Sequence, residues 1–99
     1  MLKLRINPFV AADLKEIRDY IAEDNPEYAA KTIKEIYAKF ENIQVFPAMG
    51  TDLSKKVSFQ TDYKYTVWKN YVIIYKVIEE YVEIYRVVNR YRDIMRIFE

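Results

Sequence analysis

Neither cysteine nor histidine occurs among the 99 residues. The first absence excludes disulfides, thiolate metal sites and thiol nucleophiles. With the second, the common zinc sites are excluded too. No remaining side chain titrates near neutrality at its ordinary pKa. Any proton transfer would fall to Tyr, Lys, Asp or Glu in a perturbed environment. Glycine appears once and proline three times, too few for a flexible linker or a disordered tract. No apolar run approaches the roughly 20 residues of a membrane span, and the N-terminal stretch lacks the apolar centre of a signal peptide. The expectation is a cytoplasmic protein with no membrane association, no cofactor and no metal.

Charge of one sign is also scarce overall. Sixteen basic residues face 15 acidic ones, which argues against a general polyanion binder. The distribution is uneven, however. Residues 1–60 carry nine of each sign, and residues 61–99 carry seven basic against six acidic. Over residues 84–97, Arg86, Arg90, Arg92 and Arg96 face only Asp93, so that end is locally basic.

What is abundant is apolar and aromatic: 52% of residues are hydrophobic and ten are tyrosines. A chain of this size forms one domain, spanning residues 1–99, and needs such a core. Residues 2–6 alternate as a short strand. Asn7-Pro8 then supplies an N-cap and a first-turn proline. Val10, Leu14, Ile17 and Ile21 recur at helical spacing, which predicts an amphipathic helix over residues 8–23 with Asp13, Lys15, Glu16, Arg18 and Asp19 on the other face. Asn25-Pro26 repeats the cap. It opens a second helix whose apolar stripe is Ile33, Ile36, Tyr37, Phe40 and Ile43, ending near Phe46 ahead of Pro47. The short link makes the pair an antiparallel hairpin.

Residues 51–60 show no clean period and read as a loop with room for one irregular strand. Beyond them β-branched and aromatic residues predict strands at 63–69, 71–78 and 82–88, with Lys69-Asn70 and Glu79-Glu80 as tight turns of an antiparallel meander. The middle strand is apolar on both faces: one can pack on the helical hairpin, and the other needs cover too or is left for a partner. Residues 93–98 form a short helix or tail that offers Ile94, Ile97 and Phe98 as cover. The order strand, helix, helix, three strands is α+β, with the hairpin packed on a mostly antiparallel sheet.

The stretch from Asp13-Leu14 through Tyr20-Ile21 resembles the DL-x-x-I-x-x-YI first-helix pattern of RelE/ParE toxins of type II toxin–antitoxin (plasmid stabilization, or addiction) modules. Asn70-Tyr71-Val72-Ile73-Ile74-Tyr75 resembles their central strand. Val82-Glu83-Ile84 through Arg92-Asp93 resembles their last strand and basic segment. The resemblance implies a growth-inhibiting toxin neutralised by a cognate antitoxin, as a homodimer or a toxin–antitoxin hetero-oligomer. RelE-type members cut mRNA on the ribosome, whereas ParE-type members inhibit DNA gyrase; an inactive member that only binds its partner is the third alternative. Val72 stands where the nucleases usually carry Arg, and Asn89 where other nucleolytic relatives carry His. The chain therefore resembles the ParE branch more closely.

On that reading Arg86, Arg90, Arg92 and Arg96 are the target-binding candidates, since guanidinium groups grip phosphates or acidic protein patches. They read equally as a solvated end pairing with Asp93, Glu83 and Glu99. Were the chain a nuclease, Lys64, Arg90, Tyr91 and Arg92 would form its catalytic set, with Tyr91 acidified by its flanking cations. The plainer reading of Tyr91 is a ring on the sheet with its hydroxyl in water. Lys69 and Lys76 read as edge protection. Trp68 reads as a cap on the small core or an anchor for a partner.

Overall fold

A computed structural model of the chain describes residues 1–91 and 94–98. Its element order is β1 (Lys3–Ile6), α1 (Pro8–Ala22), α2 (Pro26–Val45), β2 (Thr51–Asp52), β3 (Lys64–Trp68), β4 (Tyr71–Ile78) and β5 (Tyr81–Asn89). Short 3-10 turns occupy Pro47–Met49, Leu53–Lys55 and Ile94–Phe98. The architecture is the expected α+β, and the element bounds fall within one or two residues of those read from the sequence.

Both helices begin as their Asn-Pro pairs dictate. The Asn7 side chain accepts from the Phe9 N–H at 3.0 Å, and that of Asn25 from the Tyr28 N–H at 3.0 Å. Each bond satisfies one of the donors that a helix start leaves unpaired.

The sheet order is β1-β5-β4-β3-β2, antiparallel except for β1, which pairs in parallel with β5. The two-residue turns at Lys69-Asn70 and Glu79-Glu80 hold Lys69 and Glu79 at φ of 54° and 52°. This left-handed conformation suits the right-handed twist of hairpin strands. Part of the region read as a loop is β2, which pairs with the start of β3.

The helical hairpin covers one sheet face. Val10, Leu14, Ile36, Phe40 and Ile43 pack there on Ile73, Tyr75, Val82 and Ile84. Val72, Ile74 and Val88 point the other way, under Leu53 and Val57 and the 3-10 turn carrying Ile94, Ile97 and Phe98. Both faces of β4 are thus buried, as its unbroken apolar run demands.

Two side-chain placements differ from expectation. In α2, Ala29 and Thr32 are buried while Tyr37 is exposed. Small residues let the helix lie close to its neighbours, and the tyrosine moves to the rim with its ring edge-on to Phe40. In α1, Asp13 belongs to the buried face rather than the charged one, at 6% exposure. The reason lies in β5.

Candidate functional site

Strand β5 carries a bulge. Arg86 pairs with Ile74 and Ile84 with Tyr75, which leaves Tyr85 as the extra residue. A bulge re-aims the side chains that follow it. Here it turns Arg86 and the Val87 N–H toward α1. The Asp13 carboxylate accepts Arg86 Nε and Nη2, each at 2.8 Å, and the Val87 N–H at 2.9 Å. That is a bidentate, charge-assisted pair. The hydrogen bond that Arg86 donates to Asp13 holds its pKa above the ordinary value, against the opposing effect of burial. Arg86, a target-binding candidate by sequence, is committed to the fold in this way, and its guanidinium also lies over the Phe9 ring at 5.7 Å.

Past the bulge, β5 ends in the segment the sequence singled out. The Tyr91 N–H donates to Asn89 Oδ1 at 2.9 Å, a local turn that ends the strand. The Arg90 N–H donates to the Asn70 carbonyl at 2.8 Å, tying the strand end to the β3–β4 turn. The Arg90 guanidinium reaches the Lys69 carbonyl at 3.4 Å and lies over the Tyr91 ring at 5.7 Å. Tyr91 is 80% exposed. Arg92 lies outside the described residues, as does the side chain of Arg96.

Between this strand end and α1 runs an open groove of about 580 Å³. Asp13, Glu16 and Tyr20 line it from α1, and Tyr71, Asn89 and Tyr91 from the sheet. Burial raises the Tyr71 pKa, so its hydroxyl stays protonated at neutral pH. Beside the groove, Trp68 stacks on Tyr71 with centroids 6.4 Å apart and packs against the main core. Lys69 sits over Trp68 at 4.8 Å and meets Tyr28 and Glu35 at 3.4 Å each. The hydrogen bond to Tyr28, more than the one to Glu35, raises its pKa.

Lys64 is not part of this end. It pairs with Tyr75, four residues along β4 from Tyr71, which pairs with Asn89. At the ordinary strand rise that is about 14 Å along the sheet, with β4 intervening between β3 and β5. The candidates therefore divide into Arg90 and Tyr91 together at the groove, Arg86 locked to Asp13, and Lys64 apart. Asp13 itself was missed, although Val10, Asp13, Leu14 and Ile17 follow the helical i, i+3, i+4, i+7 spacing of a buried stripe.

Three comparisons bear on this architecture. The family model for the ParE toxin of the type II toxin–antitoxin system parDE matches residues 4–94. Among solved structures, a chain of the chromosomal ParDE toxin–antitoxin system from P. aeruginosa superposes with a TM-score of 0.75 at 22% identity, over 90% of this chain and 96% of that one. No curated protein matches.

Proposed function

The chain belongs to the ParE toxin family of type II toxin–antitoxin systems, and from that premise we propose that it arrests growth by binding DNA gyrase and is held inactive by a cognate antitoxin. What supports binding over catalysis is the separation of Lys64 from Arg90 and Tyr91. An acid–base pair must reach the same substrate atoms within hydrogen-bond distance, and these residues flank no common point. No His or Cys exists to substitute. Arg90 and Tyr91, by contrast, form an exposed cation–aromatic pair at a strand end, of the composition that dominates protein-binding hot spots. We assign them, with Arg92 and Arg96 beyond, to the gyrase contact. Such a toxin acts in the cytoplasm.

The purified chain should inhibit gyrase supercoiling of a relaxed plasmid. Replacing Arg90 and Tyr91 by Ala should weaken inhibition about tenfold or more while leaving the circular dichroism spectrum unchanged. Full supercoiling in excess chain, or inhibition indifferent to the double change, overturns the assignment.

A further inference from the structure

The groove between α1 and the end of β5 contains an imbalance that the gyrase reading does not use. Its two carboxylates are in different states. Asp13 is saturated by Arg86 and the Val87 N–H. The Glu16 side chain forms no hydrogen bond or ion pair with any described residue. Arg86 is within electrostatic reach of Glu16, but its Nε and Nη2 are spent on Asp13. Arg90 directs its guanidinium to the Lys69 carbonyl, and neither lines the groove. The next acid on the helix, Asp19, is already paired with Lys15 at 2.7 Å.

Around the Glu16 carboxylate stand aromatic rings. Tyr20, one helical turn on, is 75% exposed, and Tyr71 and Tyr91 line the opposite wall. Glu16 and Tyr20 also line a second, shallower hollow on the outer face of α1, with Asp19 and Glu23. The ridge they form is therefore open on both sides.

An apolar guest would cover the Glu16 carboxylate without pairing it, at a desolvation cost. An acidic guest would meet like charge. A guanidinium satisfies both features, since it accepts a carboxylate in plane and tyrosine rings on its faces. We propose that this groove docks a basic segment of a protein partner, with an arginine side chain between the Tyr20 and Tyr91 rings and its guanidinium on Glu16. The proposal shares Tyr91 with the gyrase reading, but it rests on Glu16 and Tyr20 and concerns a binding event measured without toxicity, so the two can fail separately.

The test is an amide-shift NMR titration of the intact chain with two synthetic peptides of the same length and apolar pattern. One carries arginine and the other glutamate at the same positions. The arginine peptide should shift the amides of Glu16, Tyr20 and Tyr91, and the glutamate peptide should not. Glu16→Gln should weaken arginine-peptide binding about tenfold, the loss of one charge-assisted contact. Glu80→Gln, at the turn between β4 and β5, should leave it unchanged. Tyr20→Ala, at an exposed site, should weaken it without altering the fold. Shifts confined to other surfaces, equal binding of the two peptides, no binding, or equal loss with Glu80→Gln and Glu16→Gln would each overturn the proposal.

Discussion

Arg86 and Asp13, 73 residues apart, meet in a two-pronged ion pair with both contacts at 2.8 Å. The pair joins the middle of α1 to the strand that carries the exposed Arg90 and Tyr91. Just past the bulge, the same carboxylate also takes the Val87 N–H. A single buried acid thus satisfies a side chain and a backbone donor.

Removing that acid should be costly. Asp13→Ala leaves a largely buried guanidinium and a buried N–H without an acceptor, and should destabilise the fold by about 3 kcal/mol. Asp13→Asn keeps an acceptor and should cost less. Urea unfolding measures both. A midpoint that barely moves in Asp13→Ala would mean that water replaces the carboxylate.

The chain's one glycine is needed for a different reason. The fully buried Tyr75 donates its hydroxyl to the Pro47 carbonyl at 2.7 Å and accepts the Gly50 N–H at 2.8 Å. A Cβ on Gly50 would overlap that hydroxyl and lie 2.9 Å from the ring carbons Cε1 and Cζ. Gly50→Ala should therefore destabilise by about 2 kcal/mol through overpacking. Tyr75→Phe should cost about 1–2 kcal/mol by leaving Pro47 and Gly50 unpaired. Combined, the two should cost less than their sum, since removing the hydroxyl makes room for the methyl. Additive losses in thermal unfolding would show that the clash is relieved elsewhere.

These two relationships mark the boundary of what the sequence made legible. Helix caps, strand alternation and turns are local, and Asn7-Pro8, Asn25-Pro26 and the β3–β4–β5 meander were readable because each signal lies within a few residues. That both β4 faces are apolar was also readable, from its unbroken run, and the structure covers both. The Asp13–Arg86 and Tyr75–Gly50 contacts join residues 73 and 25 apart and depend on a bulge and a turn whose positions follow from tertiary packing. At the candidate site, Arg90 and Tyr91 were singled out from the sequence as candidates, and the Arg90 guanidinium lies over the Tyr91 ring. The groove beside them was not, because its α1 wall, Glu16 and Tyr20, reads as an ordinary solvated helix face.

Alkaline pH should expose the buried tyrosines. Burial raises the pKa of Tyr63, Tyr71 and Tyr75 above the ordinary value of 10.0. A group whose folded pKa is raised contributes stability that is fully present below its unfolded pKa and is lost as pH rises through the folded one. Stability should therefore hold up to about pH 10 with respect to these groups and fall above it. Ionisation of the buried phenols, followed by absorbance near 295 nm, should coincide with loss of helical circular dichroism. Complete phenolate formation with the fold intact would contradict the assigned burial.

The central claim is that this toxin acts on gyrase, and pulse labelling tests it most directly. The chain is induced alone in a bacterium, and DNA and protein synthesis are followed over the first minutes. DNA synthesis should stop first, and co-expression of the cognate antitoxin should restore it. Protein synthesis stopping first would contradict the claim and point to the ribosome as the target.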